Sequence, residues 1–199
     1  MQELRVEFDQ APPSKIGERL VQEVKQMESE EEQSVLKKLR PPSSTRPQQG
    51  TAEEEPPRLP EQTLLTRAFV AESLVFQELQ SEFKTPVQRN VGFGLRGSSF
   101  IADGVIEAPD ATYVVETKLV RGALHHKRRI IEAKHQISRY REQMKGWPRR
   151  VRFILAIVLD SGTEELAANI ASGESDSGDL IMRVYFLDQL ARKYGLAPP

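Results

Sequence analysis

Hydrophobic and polar positions change period along this chain, and the changes mark out its elements. Leu4, Val6 and Phe8 alternate with Glu3, Arg5, Glu7 and Asp9, which predicts a short half-buried strand. Pro12 and Pro13 end it, and Ser14 is placed to cap a helix carrying Ile16, Leu20, Val24 and Met27 on one face. A short helical piece is expected around Val35, Leu36 and Leu39. Residues 41–60 are proline-rich, hold no aromatic and only one large aliphatic, Leu59, and read as an extended linker.

Beyond the linker the periods lengthen. Leu65, Phe69, Glu72, Phe76, Leu79 and Phe83 recur every three or four residues and predict a helix over 61–83 with that stripe inward. Strands are expected near 87–93, 99–106 and 112–120, then a long basic helix over 123–145 and a very apolar strand at 151–159. A short helix at 163–171, a strand at 181–187 and a terminal helix complete the order α-β-β-β-α-β-α-β-α. That order predicts a mixed central sheet flanked by helices, an α/β or α+β fold. The expected organisation is an interaction or oligomerisation module at 1–40, the linker at 41–60 and one domain at 61–199.

Composition narrows the chemistry. The chain of 199 residues has no cysteine, which excludes disulfides, zinc–thiolate sites, iron–sulfur clusters and thiol catalysis. No apolar run approaches the roughly 20 residues that span a bilayer, and no signal-peptide core opens the chain, so a cytoplasmic protein without membrane contact is expected. The net charge of −1 conceals an asymmetry: residues 119–152 hold 11 Lys or Arg against Glu132 and Glu142 alone. Such a local excess suits a polyanion such as nucleic acid, or else a solvated helix face.

Two charges interrupt the third of these strands. In Tyr113-Val114-Val115-Glu116-Thr117-Lys118-Leu119-Val120, Glu116 and Lys118 share one face of an otherwise apolar segment. The preceding connection, Ala108-Pro109-Asp110-Ala111, suits a tight turn with proline at its second position. If Ala108 pairs with Ala111, facing residues sum to 219 and Asp103 stands opposite Glu116. Two facing carboxylates need a cation, and hard oxygen donors favour Mg2+ or Mn2+. Glu72 adds a third acid at the centre of a helix stripe, where burial is costly unless it is paired. Glu78 lies off that stripe.

Asp103, then Glu116-Thr117-Lys118 on the next strand, with an inward Glu on the preceding helix, resembles the PD-(D/E)XK nuclease superfamily and its restriction-endonuclease-like core. Gln136 and Tyr140, four apart on the following helix, resemble the QxxxY motif of its RecB-like branch. The resemblance covers roughly 61–159, and Ala102 stands where the motif's proline would be. It implies a Mg2+- or Mn2+-dependent DNA endonuclease of low sequence specificity. Asp103, Glu116, the Thr117 carbonyl and Glu72 would serve the metal, and Lys118 the attacking water and phosphate. Gln136 and Tyr140 would be orienting residues, and Arg121, Lys127, Arg128, Arg129, Lys134 and Arg139 would hold the DNA backbone. By family analogy such a chain could be the effector of a bacterial antiviral defence complex, as a homodimer or with a partner bound through 1–40. The competing reading is a protein on a nuclease fold that binds nucleic acid or a partner without cutting.

Two motifs carry no such weight. Gly92-Phe93-Gly94-Leu95-Arg96-Gly97 matches a dinucleotide fingerprint in letters, but a strand is expected after it where that fingerprint needs a helix. His125 and His126 adjoin and point apart on a helix, so with His135 they suit phosphate contact or plain surface placement better than metal ligation.

Overall fold

A computed structural model describes residues 9–10, 15, 18–19, 21–22, 25, 61–93, 100–121, 126–162, 164–172 and 178–197. Among them the elements run, in chain order, β1 (Asp9–Gln10), α1 (Glu61–Phe83), β2 (Gln88–Phe93), β3 (Phe100–Glu107), β4 (Thr112–Arg121), α2 (His126–Gln143), β5 (Val151–Ser161), α3 (Glu164–Ser172), β6 (Leu180–Phe186) and α4 (Leu187–Lys193). The strands form one six-stranded sheet in the order β1-β2-β3-β4-β5-β6. β1 to β4 pair antiparallel, and β4, β5 and β6 run parallel. The class is therefore α/β with a mixed sheet, as the element order predicts.

The helices cover both faces of the sheet. Tyr113, Val115 and Leu119 of β4 join one core with α1 and α4, while Val114 and Val120 join a second core that includes Ile130, Ala133 and Ile137 of α2. β4 is thus buried on both faces, as strands within a parallel layer are. Glu116 and Lys118 fall in the alternation of Val114 and Val120, on the side of α2. At the far edge, β1 lies beside β2 with Asp9 opposite Gly92, and Lys15, Glu18, Arg19, Val21, Gln22 and Lys25 are helical.

The turn before β4 sets the register. The Ala108 amide donates to the Ala111 carbonyl at 3.0 Å, and the ladder runs from Glu107 opposite Thr112 to Gly104 opposite Val115, every pair summing to 219. At Gly104 the sheet meets α1 at close range: a Cβ there would lie 2.7 Å from Cγ1 of Val87 and 3.1 Å from the Phe76 ring.

One expectation about α1 fails. Phe69 is 55% exposed, whereas Leu64, Ala68, Ala71, Val75 and Leu79 are buried. Of the expected stripe, Phe76 and Leu79 are buried and Leu65 and Phe83 pack on the core, while Phe69 turns outward and Ala68 and Ala71 take the inward face beside it. Glu72 stays inside at 8% exposure. The described element after Gly92 and Phe93 is the strand β3, antiparallel to β2, and residues 94–99 lie outside the described residues. The predicted strand residues before Asp9, the helical piece near Leu36, the linker at 41–60 and His125 lie outside the described residues.

Candidate active site

The site forms where β3 and β4 stop pairing. Their ladder reaches Gly104 and Val115, and one step further along stand Asp103 and Glu116, 2% and 1% exposed. Backbone groups released at that point are taken up by side chains. The Thr117 amide donates to Oδ2 of Asp103 at 2.7 Å, and the Tyr140 hydroxyl lies 2.9 Å from the Ile101 carbonyl. Buried backbone groups need such partners, so these side chains complete the strands as well as furnish a site.

Glu116 is held from two sides. Oε1 is 2.8 Å from the Lys118 ammonium, the i,i+2 neighbour on the same strand face. Oε2 is 3.1 Å from the Tyr140 hydroxyl. The hydroxyl also receives a hydrogen bond from Nε2 of Gln136, one helical turn earlier on α2. With a single proton, it serves Glu116 or the Ile101 carbonyl at any moment. Tyr140 reaches inward because Ile130, Ala133, Ile137 and Tyr140 form the buried stripe of α2. Phe93 and Phe100 meet its ring edge to face, at centroid distances of 5.3 and 6.0 Å.

Burial pushes the Glu116 carboxyl up to about 7, and the negative charge of Asp103 adds to the rise, while Lys118 opposes it. Burial likewise drives the Tyr140 phenol far above its ordinary value, reinforced by Glu116 and Asp103. Tyr140 therefore remains a neutral hydrogen-bonding group. Oppositely charged and like-charged groups packed in one buried place are a frequent mark of a functional site.

Nothing in the linear sequence singles out Arg19, which lies far from every motif. Its guanidinium donates to Oε2 of Glu72 at 2.9 Å and pairs with Oδ1 of Asp103. Two carboxylates from α1 and β3 thus converge on one cation. Asn90 is a second addition. It occupies the β2 position facing Asp103, between the pairs Arg89–Gly104 and Val91–Ala102, and has a left-handed φ of 52°. Asparagine tolerates that conformation better than most residues. A positive φ has no signal in a single sequence beyond the residue type.

The remaining expected residues divide. Lys127, Arg128 and Arg139 are exposed along α2, with Lys134 half-buried beside them. Arg128 pairs with Glu132 at 2.9 Å, and Arg139 stacks over Phe100 at 6.0 Å. Arg129, by contrast, is 2% exposed, inside the core rather than on that face. Arg121 is 9% exposed, and its Nε donates to Oδ2 of Asp160 at 3.2 Å, an acid that Arg67 also pairs with.

Among the described residues, no three acidic or histidine side chains gather tightly enough to form a metal centre by themselves. The donor set nevertheless fits a hard divalent cation. Glu72 and Asp103 already share one cationic partner, and with Glu116 they offer carboxylate oxygens, the donors that such an ion takes. No protein-family model matches the chain, and no curated protein matches it. No helix among the described residues is long and apolar enough to cross a membrane.

Proposed function

We propose that this chain is a metal-dependent nuclease of the PD-(D/E)XK kind, hydrolysing phosphodiester bonds of DNA as an endonuclease with little intrinsic sequence specificity. The observation that carries the reading is the buried pair Glu116–Lys118 set beside Asp103, with the Glu116 carboxyl pushed up to about 7. A fold has no structural need for two buried acids set just beyond the point where two strands part, and their repulsion makes sense where a cation is to be held. The order α1-β2-β3-β4-α2-β5, with Tyr140 brought onto Glu116 and Gln136 onto Tyr140, also supports it.

In this reading Asp103, Glu116 and the Thr117 carbonyl hold a Mg2+ or Mn2+ ion, with Glu72 at its margin. Bound there, the ion supplies Lewis-acid polarisation of the phosphate and lowers the pKa of water. Lys118 faces the phosphate and offsets the negative charge that grows as a water oxygen bonds to phosphorus. The attacking water gives up a proton to solvent, the P–O bond on the opposite side breaks, and the leaving oxygen takes a proton from solvent. Tyr140 and Gln136 keep the Glu116 carboxylate oriented, which is a positioning role. Lys127, Arg128 and Arg139 meet the DNA backbone without reading its sequence. A role as the effector of a bacterial defence complex belongs to the same proposal.

A second reading, a nucleic-acid clamp that does not cut, draws on the pairing of Arg19 with two of the three acids. Supercoiled plasmid incubated with the full chain and Mg2+ or Mn2+, with EDTA as control, separates the two. Metal-dependent nicking that disappears in Asp103→Asn and Lys118→Ala supports the nuclease. DNA binding without nicking under every metal condition supports the clamp.

A further inference from the structure

Arg19 occupies the position that a cation between Glu72 and Asp103 would take. Both carboxylate oxygens of Asp103 are engaged: Oδ1 with the Arg19 guanidinium and Oδ2 with the Thr117 amide. Oε2 of Glu72 is engaged with Arg19 as well, at 2.9 Å. The Thr117 bond belongs to the backbone at the parting of the strands, so Arg19 is the partner that can leave. Its side chain is 17% exposed, while that of Asp103 is 3% exposed, so Arg19 approaches the buried carboxylate from the solvent side. A cleft of about 290 Å³ opens there, lined by Lys15, Arg19 and Gln22 together with Phe100, Gln136 and Arg139. In formal charges, Glu72, Asp103 and Glu116 carry three negatives against two positives from Arg19 and Lys118. A divalent ion in place of Arg19 would balance them.

We propose that Arg19 is a built-in competitor for the divalent cation, so that metal loading at Asp103, with Glu72 at its margin, expels the guanidinium from both carboxylates. The proposal rests on the metal-dependent reading above. Arg19 is then held by carboxylates that the metal needs, and it fills the site whenever the cation is scarce. A protein whose binding-competent state is only partly populated shows a correspondingly weakened apparent affinity.

Calorimetric titration of the metal-free full chain with Mn2+ tests this against Arg19→Ala and Arg19→Gln. Both variants are expected to bind Mn2+ about tenfold more tightly than the native chain, the scale of one released charge-assisted hydrogen bond. Arg19→Gln, which retains a long polar side chain, keeps the comparison valid if Arg19→Ala folds poorly. In the native chain, Mn2+ is expected to speed amide hydrogen exchange at residues 18, 19, 21 and 22, and EDTA to reverse it. Equal or weaker Mn2+ binding in both variants, with metal-dependent nicking intact in the native chain, overturns the competition and leaves the nuclease reading standing. Absence of Mn2+ binding in all three chains overturns both.

Discussion

The Tyr140 hydroxyl stands 3.1 Å from Oε2 of Glu116 and 2.9 Å from the Ile101 carbonyl, joining α2 to both strands at the point where they part. Tyr140→Phe keeps the ring, which is 1% exposed, and removes only that link. It is expected to cost about 1–2 kcal/mol in urea unfolding, since buried acceptors lose a donor. Plasmid nicking should fall roughly tenfold with Mn2+ affinity little changed, as a positioning role requires. Unchanged nicking at reduced stability would leave Tyr140 a purely structural residue.

Glu116 is buried with its carboxyl pushed up by that burial and by Asp103, so the folded chain is strained by its charge. Glu116→Gln relieves the strain while keeping the shape. The metal-free variant is expected to melt at or above the native temperature, by roughly 2–4 °C, yet to lose nicking and most Mn2+ binding. A sharp fall in Tm would mean that the carboxylate serves the fold instead.

Gly104 packs closely on Val87 and on the Phe76 ring of α1. Gly104→Ala would bring a methyl within 2.7 Å of Val87 and 3.1 Å of Phe76, neighbours locked in the core under α1. The expected loss is about 1–3 kcal/mol, measured by thermal or urea unfolding, from displaced packing. Because Asp103 adjoins Gly104, Mn2+ affinity should weaken as well.

The basic residues of α2 should separate by burial. Replacing Lys127, Lys134 and Arg139 together by alanine is expected to lower DNA affinity and to flatten its dependence on salt by about 2–3 in log–log slope, roughly 0.9 for each phosphate that is no longer neutralised. The Tm should hardly move. Arg129→Ala should do the opposite, because Arg129 is 2% exposed: lower Tm, little change in salt slope. Equal effects of the two on DNA binding would contradict this division.

α1 and α4 are clipped by Glu78, which accepts from Lys193 at 2.5 and 2.8 Å and from the Tyr194 hydroxyl at 2.8 Å. The hydrogen bond from Lys193, helped by Tyr194 and the Lys193 charge against some burial, holds the Glu78 carboxyl below its ordinary value. A lowered folded value for an acid gives stability that is present above the unfolded value of 4.5 and lost as pH falls through the folded one. Glu78→Gln should therefore narrow its stability difference from the native chain below about pH 4.5, and show the full difference at pH 6–7. A difference constant across that range would show that the clip is not electrostatic.

Much of this architecture is local and so was legible along the chain. Pro109 in a four-residue turn dictates the β3–β4 register, and with it the nearness of Asp103 and Glu116. The two-residue period of a strand places Lys118 beside Glu116, and the helical period places Gln136 beside Tyr140, whatever else the chain does. Such relationships involve few residues and short separations. They need no knowledge of the rest of the fold.

Packing between distant elements decided the remainder. The outward turn of Phe69 on α1, with Ala68 and Ala71 inward, depends on how that helix packs on a sheet formed later in the chain. The burial of Arg129 on a helix full of similar basic residues depends on which side meets β4 and β5. Arg19 reaches Asp103 across 84 residues, and Asp9 and Gln10 pair with β2, so N-terminal residues join the sheet and the site alike. A cationic side chain is stabilised wherever buried carboxylates lack a partner, and only the folded chain reveals which one arrives.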